Sequence, residues 1–574
     1  MKIIIAKTAG FCMGVRRAVE MALDMPRKYK GPFFTLGPLI HNPQVVDLLK
    51  EKGISIVDEM PAQGSGTMLI RAHGVPPGIK KNLKSSGFTV IDATCPRVVK
   101  VQAIIRKHAR QGYASIIIGD KNHPEVMALL GYAEERGYAV GNMEELESVP
   151  GFEKAIVVAQ TTQNVFLYEK VKERIKVKFP HYKLYDTICN STSKRQTEVK
   201  ELAGHVDAII VVGGRSSGNT QRLVEASRQA GKPAYHIETE SEMDLDILAS
   251  SKNIGITAGA STPNWMIKRV YRTLEDLSYK KARGLRKHFY TIERSLLLTN
   301  IYVSIGAGCL CYANIRMLGG ASGYFPYVVM SMLYVLSMHT LNNLIGRKAD
   351  YYNDPDRASF YKKHQPLLSF LAVSAGGAGL LTAYSAGLTS FLVLLSMSIM
   401  GLSYNLRIIP ERLAKSRYRG IRDIPGSKTA LISLAWGVVT SILPVLSLHL
   451  KAGIPVVFAL SVSMIFVRTA FFDILDMQGD RIVGKETIPI ILGEKKTMRL
   501  LKYVLLSSTA VLLISSAFNL ISKLGFVLFL CPLFLFFVLT KHEQGYMLPG
   551  TKLEFLVESH FVMAGVIALL WPFI

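Results

Sequence analysis

The chain has 574 residues, too many for one ordinary domain, and 68 Lys and Arg against 43 Asp and Glu give a formal net charge of +25. Six cysteines in that length exclude a disulfide-stapled secreted scaffold. The basic excess does not require nucleic acid, and no nucleic-acid partner is expected, because the cytoplasmic loops of a membrane protein carry surplus Lys and Arg.

Met1-Lys2-Ile3-Ile4-Ile5-Ala6 is too short an apolar run for a signal peptide, and Lys7 interrupts it. The first half is therefore expected in the cytoplasm. Over residues 1 to about 275, charges are spread throughout. Short β-rich runs such as Met68-Leu69-Ile70, Ser115-Ile116-Ile117-Ile118, Ala155-Ile156-Val157-Val158 and Ala208-Ile209-Ile210-Val211-Val212 alternate with amphipathic helical patterns. That alternation predicts an α/β fold with mostly parallel sheets, in which function collects in the loops at the C-terminal strand ends.

Those loops hold the unusual residues. In chain order they are Cys12 in Gly10-Phe11-Cys12-Met13-Gly14, His41 after Gly37-Pro38-Leu39-Ile40, His73 in Ala72-His73-Gly74, Cys95 in Asp92-Ala93-Thr94-Cys95-Pro96, His123 in Asn122-His123-Pro124-Glu125, and Cys189 in Asp186-Thr187-Ile188-Cys189. The cysteines are 83 and 94 residues apart, about one small αβ unit each, and the shared Asp-x-x-Cys of the last two hints at an internal repeat. A close C-x₂-C pair of the zinc type is missing. The spacing fits three unrelated buried cysteines or three thiolates meeting at one centre; a cubane cluster there would keep one iron without a protein ligand. Imidazoles and hydroxyls at strand ends suit a diphosphate. So do two Gly/Ser-rich loops, Val211 to Thr220 and Thr257 to Pro263, whose backbone N–H groups can cradle anionic oxygens. Neither loop is a Walker motif or G-x-G-x-x-G, so a nucleotide is not indicated.

On these residues the first half resembles the IspH/LytB family, the 4-hydroxy-3-methylbut-2-enyl diphosphate reductases. GFCMGV, GPLIHNPQVV, AHGV, DATCP, HPEV, QTT, DTICNST, GGRSSGNTQRL and TAGASTP follow in family order over residues 1–275. The resemblance implies an α/β trefoil of three αβ units around a central [4Fe–4S] cluster held by Cys12, Cys95 and Cys189. It also implies that His41, His73, His123, Thr161, Ser217, Gly218 (through its backbone N–H), Asn219 and Ser261 surround the substrate diphosphate or hydroxyl, and that Glu125 donates a proton with Thr161. Gly218 departs from relatives that carry a second serine there, which weakens one contact. The implied reaction is reductive dehydroxylation of the allylic diphosphate to isopentenyl and dimethylallyl diphosphate, the last step of the non-mevalonate pathway. Its electrons would come from an external one-electron donor such as ferredoxin or flavodoxin, since no flavin or nicotinamide signature is visible.

From about residue 296 the chain becomes a series of apolar stretches, each roughly 17–20 residues long, the length that crosses a bilayer core as a helix. Nine transmembrane helices are expected, near 296–315, 324–342, 366–384, 388–405, 429–449, 453–472, 499–518, 523–540 and 556–574. Residues 278–295, with Lys281, Arg283, Arg286 and Lys287, read as a basic juxtamembrane linker on anionic lipid. The expected domains are thus 1–277, 278–295 and 296–574. Loops expected on the inner side carry Arg347, Lys348, Arg357, Lys362 and Lys363, then Arg407, Arg412, Lys415, Arg417, Arg419, Arg422 and Lys428, whereas the outer loops carry Arg316, Lys451 and Lys523. That bias fits a multi-pass protein of the cell inner membrane with its first half in the cytoplasm.

Two acidic clusters fall on the expected inner side: Asn342 to Asp350 with Asn353, Asp354 and Asp356, and Asp473, Asp476 and Asp480 with Lys485. Carboxylates beside Lys and Arg suit a Mg²⁺-bridged diphosphate; a solvated loop at the membrane surface is the plain alternative. The segment DILDMQGDRIVGKETIP, the basic loop from Tyr404 to Lys428 and the spans are similar to the UbiA superfamily of membrane prenyltransferases. This resemblance implies a polyprenyl diphosphate and an aromatic or lipid acceptor as partners, with Asn342, Asp350, Asp473, Asp476, Asp480 and Lys485 at a second site. The family's Asn-x₃-Asp-x₃-Asp reads Asn342-x₃-Gly346-x₃-Asp350 here, so Asp354 or Asp356 would have to replace the lost carboxylate. Two other readings stand beside a fused reductase and prenyltransferase. One makes the membrane half a non-catalytic anchor, and the other makes the first half a redox or iron sensor.

Overall fold

A computed structural model describes residues 1–59, 63–281, 285–320, 322–404, 424–448, 453–545 and 550–573. The chain divides into two compact units, Met1–Lys281 and Ala282–Ile574.

Unit one holds twelve short strands: β1 (Lys2–Ile5), β2 (Phe33–Leu36), β3 (Ile54–Val57), β4 (Thr67–Ile70), β5 (Thr89–Asp92), β6 (Ala114–Ile118), β7 (Gly137–Val140), β8 (Ala155–Ala159), β9 (Lys183–Leu184), β10 (Ala208–Val212), β11 (Ala234–Ile237) and β12 (Asn253–Ala258). They form three four-stranded sheets, ordered β1-β12-β10-β11, β3-β2-β4-β5 and β7-β6-β8-β9, and every pairing is parallel. Helices return the chain between strands and cover the sheets, so the central strands are buried on both faces. Thr67–Ile70, Ala114–Ile118, Ala155–Ala159 and Ala208–Val212 are buried at every residue. This is why those segments read as continuous apolar runs and not as alternating ones. All strands of a sheet point the same way, so their C-terminal ends open onto one rim.

Unit two is helical. Among the described residues seven helices are long and apolar enough to cross a membrane: Phe325–Ile345, Gln365–Ala386, Ser427–Leu446, Ile454–Leu475, Glu494–Ala517, Gly525–Glu543 and Thr551–Phe573. Two of the nine expected spans are not among these seven. The first expected span falls on two helices, Lys287–Leu298 and Ile301–Met317, bent by 75°. The bend sits at Asn300, whose φ of 60° is left-handed and stops a right-handed helix. Its side chain donates to the Tyr361 hydroxyl at 2.7 Å, which fixes the break. The fourth expected span is the 16-residue helix Leu388–Ser403, roughly 24 Å long against a hydrocarbon core of about 30 Å. The core packs Ala307, Cys311, Trp436, Phe471, Leu535 and Phe561 at its centre, while Leu367, Phe370, Val373, Leu381 and Tyr384 of one helix face outward, the inverse of a soluble bundle. Arg283, Arg407, Arg412, Lys415, Arg417, Arg419, Arg422 and Lys451 lie outside the described residues.

Candidate functional site

One edge strand of each sheet leads to a cysteine: β1 to Cys12, β5 to Cys95, β9 to Cys189. Each cysteine is the N-cap of the next helix, Met13–Lys28, Pro96–Ala109 and Asn190–Ala203. The three sheets bring these loops together. A Cβ on Gly14 would lie 2.5 Å from Cys95 Sγ, so only glycine lets the first loop approach the second. Burial pushes the Cys95 thiol up, and Cys12 and Cys189 add to that shift while the N–H groups of Arg97 and Val98 oppose it. No disulfide joins them. The buried Arg195 guanidinium faces Cys12 and Cys189 and is anchored on the carbonyls of Ala258 at 3.0 Å and Gly10 at 2.6 Å. Three thiols at helix N-termini beside a fixed cation are a soft, anion-stabilising donor set, which fits an iron–sulfur group.

The two central strands of each sheet lead to the remaining groups. His41 and His73 follow β2 and β4, His123 and Thr161 follow β6 and β8, and Ser217, Gly218, Asn219 and Ser261 follow β10 and β12. The three imidazoles gather, with ring centroids 4.6 Å (His41–His73), 5.4 Å (His41–His123) and 5.2 Å (His73–His123) apart. Burial holds all three below the usual imidazole range, His123 at about 4 and His73 well down, and Arg71 and the neighbouring rings reinforce the effect. They are therefore neutral at pH 7. His123 Nδ1 accepts the Glu125 N–H at 3.1 Å, so its hydrogen is on Nε2. His41 Nε2, His73 Nδ1 and Asn219 Nδ2 are buried without a partner. Ser261 Oγ donates to the His41 carbonyl at 3.0 Å and lies 3.4 Å from Ser217 Oγ, tying one sheet's loops to another's. Orphaned donors around a neutral histidine trio match an anion.

Glu125 is 1% exposed. Thr161 donates its N–H to Oε1 at 2.6 Å and its hydroxyl to Oε2 at 2.9 Å. Burial outweighs these bonds and lifts the carboxyl to about 7. The sequence reading missed Arg222, which donates to Asp120 Oδ2 at 2.8 Å and Gln163 Oε1 at 3.1 Å and whose charge reaches Glu125 and His123. Its signals were a place one helical turn after Gly218 and its membership of the GGRSSGNTQRL segment. A Cβ at Gly218 would come within 2.9 Å of Arg222 Nη1, so glycine is what leaves that guanidinium its room.

In unit two the structure brings the two acidic segments together. Asp480 accepts from Asn353 Nδ2 at 3.1 Å and pairs with Lys485 at 3.3 Å. Asp473 pairs with Lys428 at 2.9 Å and accepts from Thr429 at 2.7 Å. Burial lifts Asp350 to about 6, with Asp354 and Asp476 adding to it and Arg357 and Lys485 opposing. Of the two replacements for the missing carboxylate, Asp354 adds to the field at Asp350 and pairs with Arg357 at 3.4 Å, whereas Asp356 pairs with Arg294 at 3.3 Å. Gly346 merely ends its helix, its N–H bonded to the Asn342 carbonyl at 2.8 Å. Among the described residues the Asn342 side chain makes no hydrogen bond to this cluster.

Residues 3–275 match the family model described as LytB protein, and residues 303–546 match the UbiA prenyltransferase family. The first half is 41% identical over 281 residues to the 4-hydroxy-3-methylbut-2-enyl diphosphate reductase of Geobacter sulfurreducens, covering 49% of this chain and 99% of that one. It is 42% identical over 283 residues to the reductase of the same name from Aquifex aeolicus, covering 48% of this chain and 96% of that one. A solved UbiA homologue from Aeropyrum pernix aligns with 47% of this chain and 98% of its own, at 11% identity and a TM-score of 0.37. The chain belongs to the LytB family through residues 3–275, and its residues 303–546 match the model of the UbiA prenyltransferase family.

Proposed function

We propose that unit one, a trefoil of three αβ units, reduces 4-hydroxy-3-methylbut-2-enyl diphosphate to isopentenyl and dimethylallyl diphosphate, and that unit two transfers a prenyl group in the membrane. The layout of the strand ends carries the first reading, because each sheet sends one cysteine to a thiol centre and two further loops to a cluster of anion-binding groups. Cys12, Cys95 and Cys189 would hold a [4Fe–4S] cluster, which when bound supplies electrons one at a time and a Lewis-acidic iron. The histidines, Ser217, Asn219 and Ser261 hold the diphosphate and so fix the allylic carbinol. Bound anion raises the proton affinity of the imidazoles, so the trio gains charge as substrate arrives. Glu125, near 7 and held at both oxygens by Thr161, supplies the proton with which the hydroxyl departs as water. Two electrons and two protons balance the reaction: one proton leaves in the water and the other ends on carbon. The electrons come from an external carrier of the ferredoxin or flavodoxin type.

In unit two, Asp350, Asp354, Asp476 and Asp480 with Lys485 would hold Mg²⁺ and a polyprenyl diphosphate, with an aromatic or lipid acceptor. Magnesium there would neutralise the departing diphosphate. The basic loops support placement in the cell inner membrane with unit one in the cytoplasm. Counting the bent pair and the short helix as crossings restores nine. Gly346 in place of a carboxylate favours one alternative, a membrane anchor without prenyl transfer.

The deciding experiment is anaerobic purification of the full chain in detergent, with its absorption spectrum, iron count and turnover under a strong reductant. A brown protein with roughly four irons that releases five-carbon diphosphates is expected. A colourless protein carrying zinc overturns the reading.

A further inference from the structure

We infer that Arg71 is a diphosphate-binding residue of unit one, supplying the fixed positive charge that its histidine trio lacks. The inference deepens the reading of unit one given above and rests on it.

Arg71 stands two residues before His73, in the loop after β4. Its guanidinium reaches over the end of the neighbouring strand, β2. There a Cβ on Gly37 would lie 2.7 Å from Arg71 Nη1, and Gly37 holds a φ of +69°, four residues before His41. A side chain at position 37 would therefore have to displace the Arg71 guanidinium, and Gly37 lies in the loop that also presents His41. Arg71 is half-buried, its Nε is buried without a partner, and among the described residues no carboxylate pairs with it. The two fully buried arginines described in the unit differ. Arg222 is matched by Asp120 at 2.8 Å, and Arg195 is tied to two carbonyls on the cysteine side.

The charge of Arg71 presses on all three histidines. A guanidinium removed from water without an anion is costly, and cationic pressure on neighbouring imidazoles adds to that cost. Folding ordinarily resolves such a position with an Asp or Glu. Here the position is resolved only when an anion arrives. Arg keeps its charge at every working pH and offers a planar fork of donors that matches phosphate oxygens. The neutral histidines can then orient the ligand while Arg71 provides the charge that attracts it.

The test uses the full chain in detergent, with R71M and R71Q as variants and R71K as the charge-retaining control. Inorganic diphosphate is titrated by calorimetry, and steady-state reduction is followed in parallel. The neutral variants should raise the diphosphate Kd by ~10–100-fold, the ratio that one or two charge-assisted hydrogen bonds give. KM should rise by a similar factor while kcat stays within about twofold, the pattern of lost uniform binding. R71K should recover part of the affinity. If either neutral variant folds, judged by its melting temperature, and binds diphosphate within about twofold of wild type, the assignment is overturned. Loss of kcat with KM intact overturns it too. A wild-type chain that binds diphosphate through Arg71 yet makes no five-carbon product would sink the reductase reading and leave Arg71 as an anion ligand.

Discussion

The two units differ in the balance of neutral and paired charged groups at their candidate sites. At the strand ends of unit one most of the gathered groups are neutral or poised near neutrality, namely three depressed histidines, hydroxyls, an amide and a carboxyl at about 7, beside the guanidiniums of Arg71 and Arg222. In unit two they are ion pairs, Asp480 with Lys485, Asp473 with Lys428, Arg468 with Glu558, and Arg357 with Glu554. Backbone explains the difference. Parallel strands end with free N–H groups that turn into helix N-termini, so a site can be assembled from loops and dipoles. A membrane helix satisfies its own backbone, so a polar site must be made of side chains, and charges in a low dielectric survive only as partners.

The strongest test of that contrast is to disable each unit separately. Cys95→Ser should abolish iron retention and reduction while prenyl transfer in the same membranes persists. Asp480→Asn should do the reverse, with five-carbon product unchanged and prenyl transfer lost by ~10³-fold, as for removal of a main electrostatic group. Measuring both products from one preparation decides this, and parallel loss of both activities would show that the units are not independent. Next in size is Glu125→Gln, expected to lower kcat by ~10²–10⁴-fold with little change in diphosphate affinity. The sign of the pH effect follows from the raised carboxyl. Its protonated form is the competent one, so wild-type kcat should fall as pH rises through about 7, and the residual activity of E125Q should lack that limb. A variant that keeps the alkaline limb would assign it to another group. Gly14→Ala then probes the thiol centre without touching a cysteine. Its Cβ, 2.5 Å from Cys95 Sγ, should cut iron content several-fold at nearly unchanged helix content by circular dichroism.

Much of unit one was legible because its information is local. Apolar runs marked the central strands, and the candidate site residues lie in the loops that follow them, as at His73 and Ser217. Arg222, Arg195 and Arg71 were not legible. Their roles depend on which loop of another strand or sheet they face, and a basic residue in a helix or loop looks the same whether it meets solvent, a thiol or a histidine. Unit two was legible in its spans and acidic segments but not in where a helix breaks. The bend at Asn300 follows from one left-handed residue inside an apolar run, and hydropathy averaging does not register φ. Nor could spacing show that Asp354 pairs with Arg357 and Asp356 with Arg294.

The smallest effect isolates the sidedness of the sheets. Each sheet has one edge strand whose loop carries no functional group, for instance β7 in the order β7-β6-β8-β9. Asn142 follows β7 and caps Met143–Glu147, accepting the Glu145 N–H at 2.8 Å. Asn42 follows β2 and caps Pro43–Glu51, accepting the Val45 N–H at 3.0 Å, one residue after His41. Replacing either cap by Ala should cost about 1 kcal/mol, a fall of roughly 2–4 °C in the melting transition of a unit this size. Only Asn42→Ala should also weaken inorganic diphosphate binding, by a few-fold, because the released helix start lets His41 drift from the trio. Equal diphosphate affinities in the two variants would mean that the helix starts stabilise the sheets without positioning the loops. The strand-end layout would then describe the architecture of unit one and not its function.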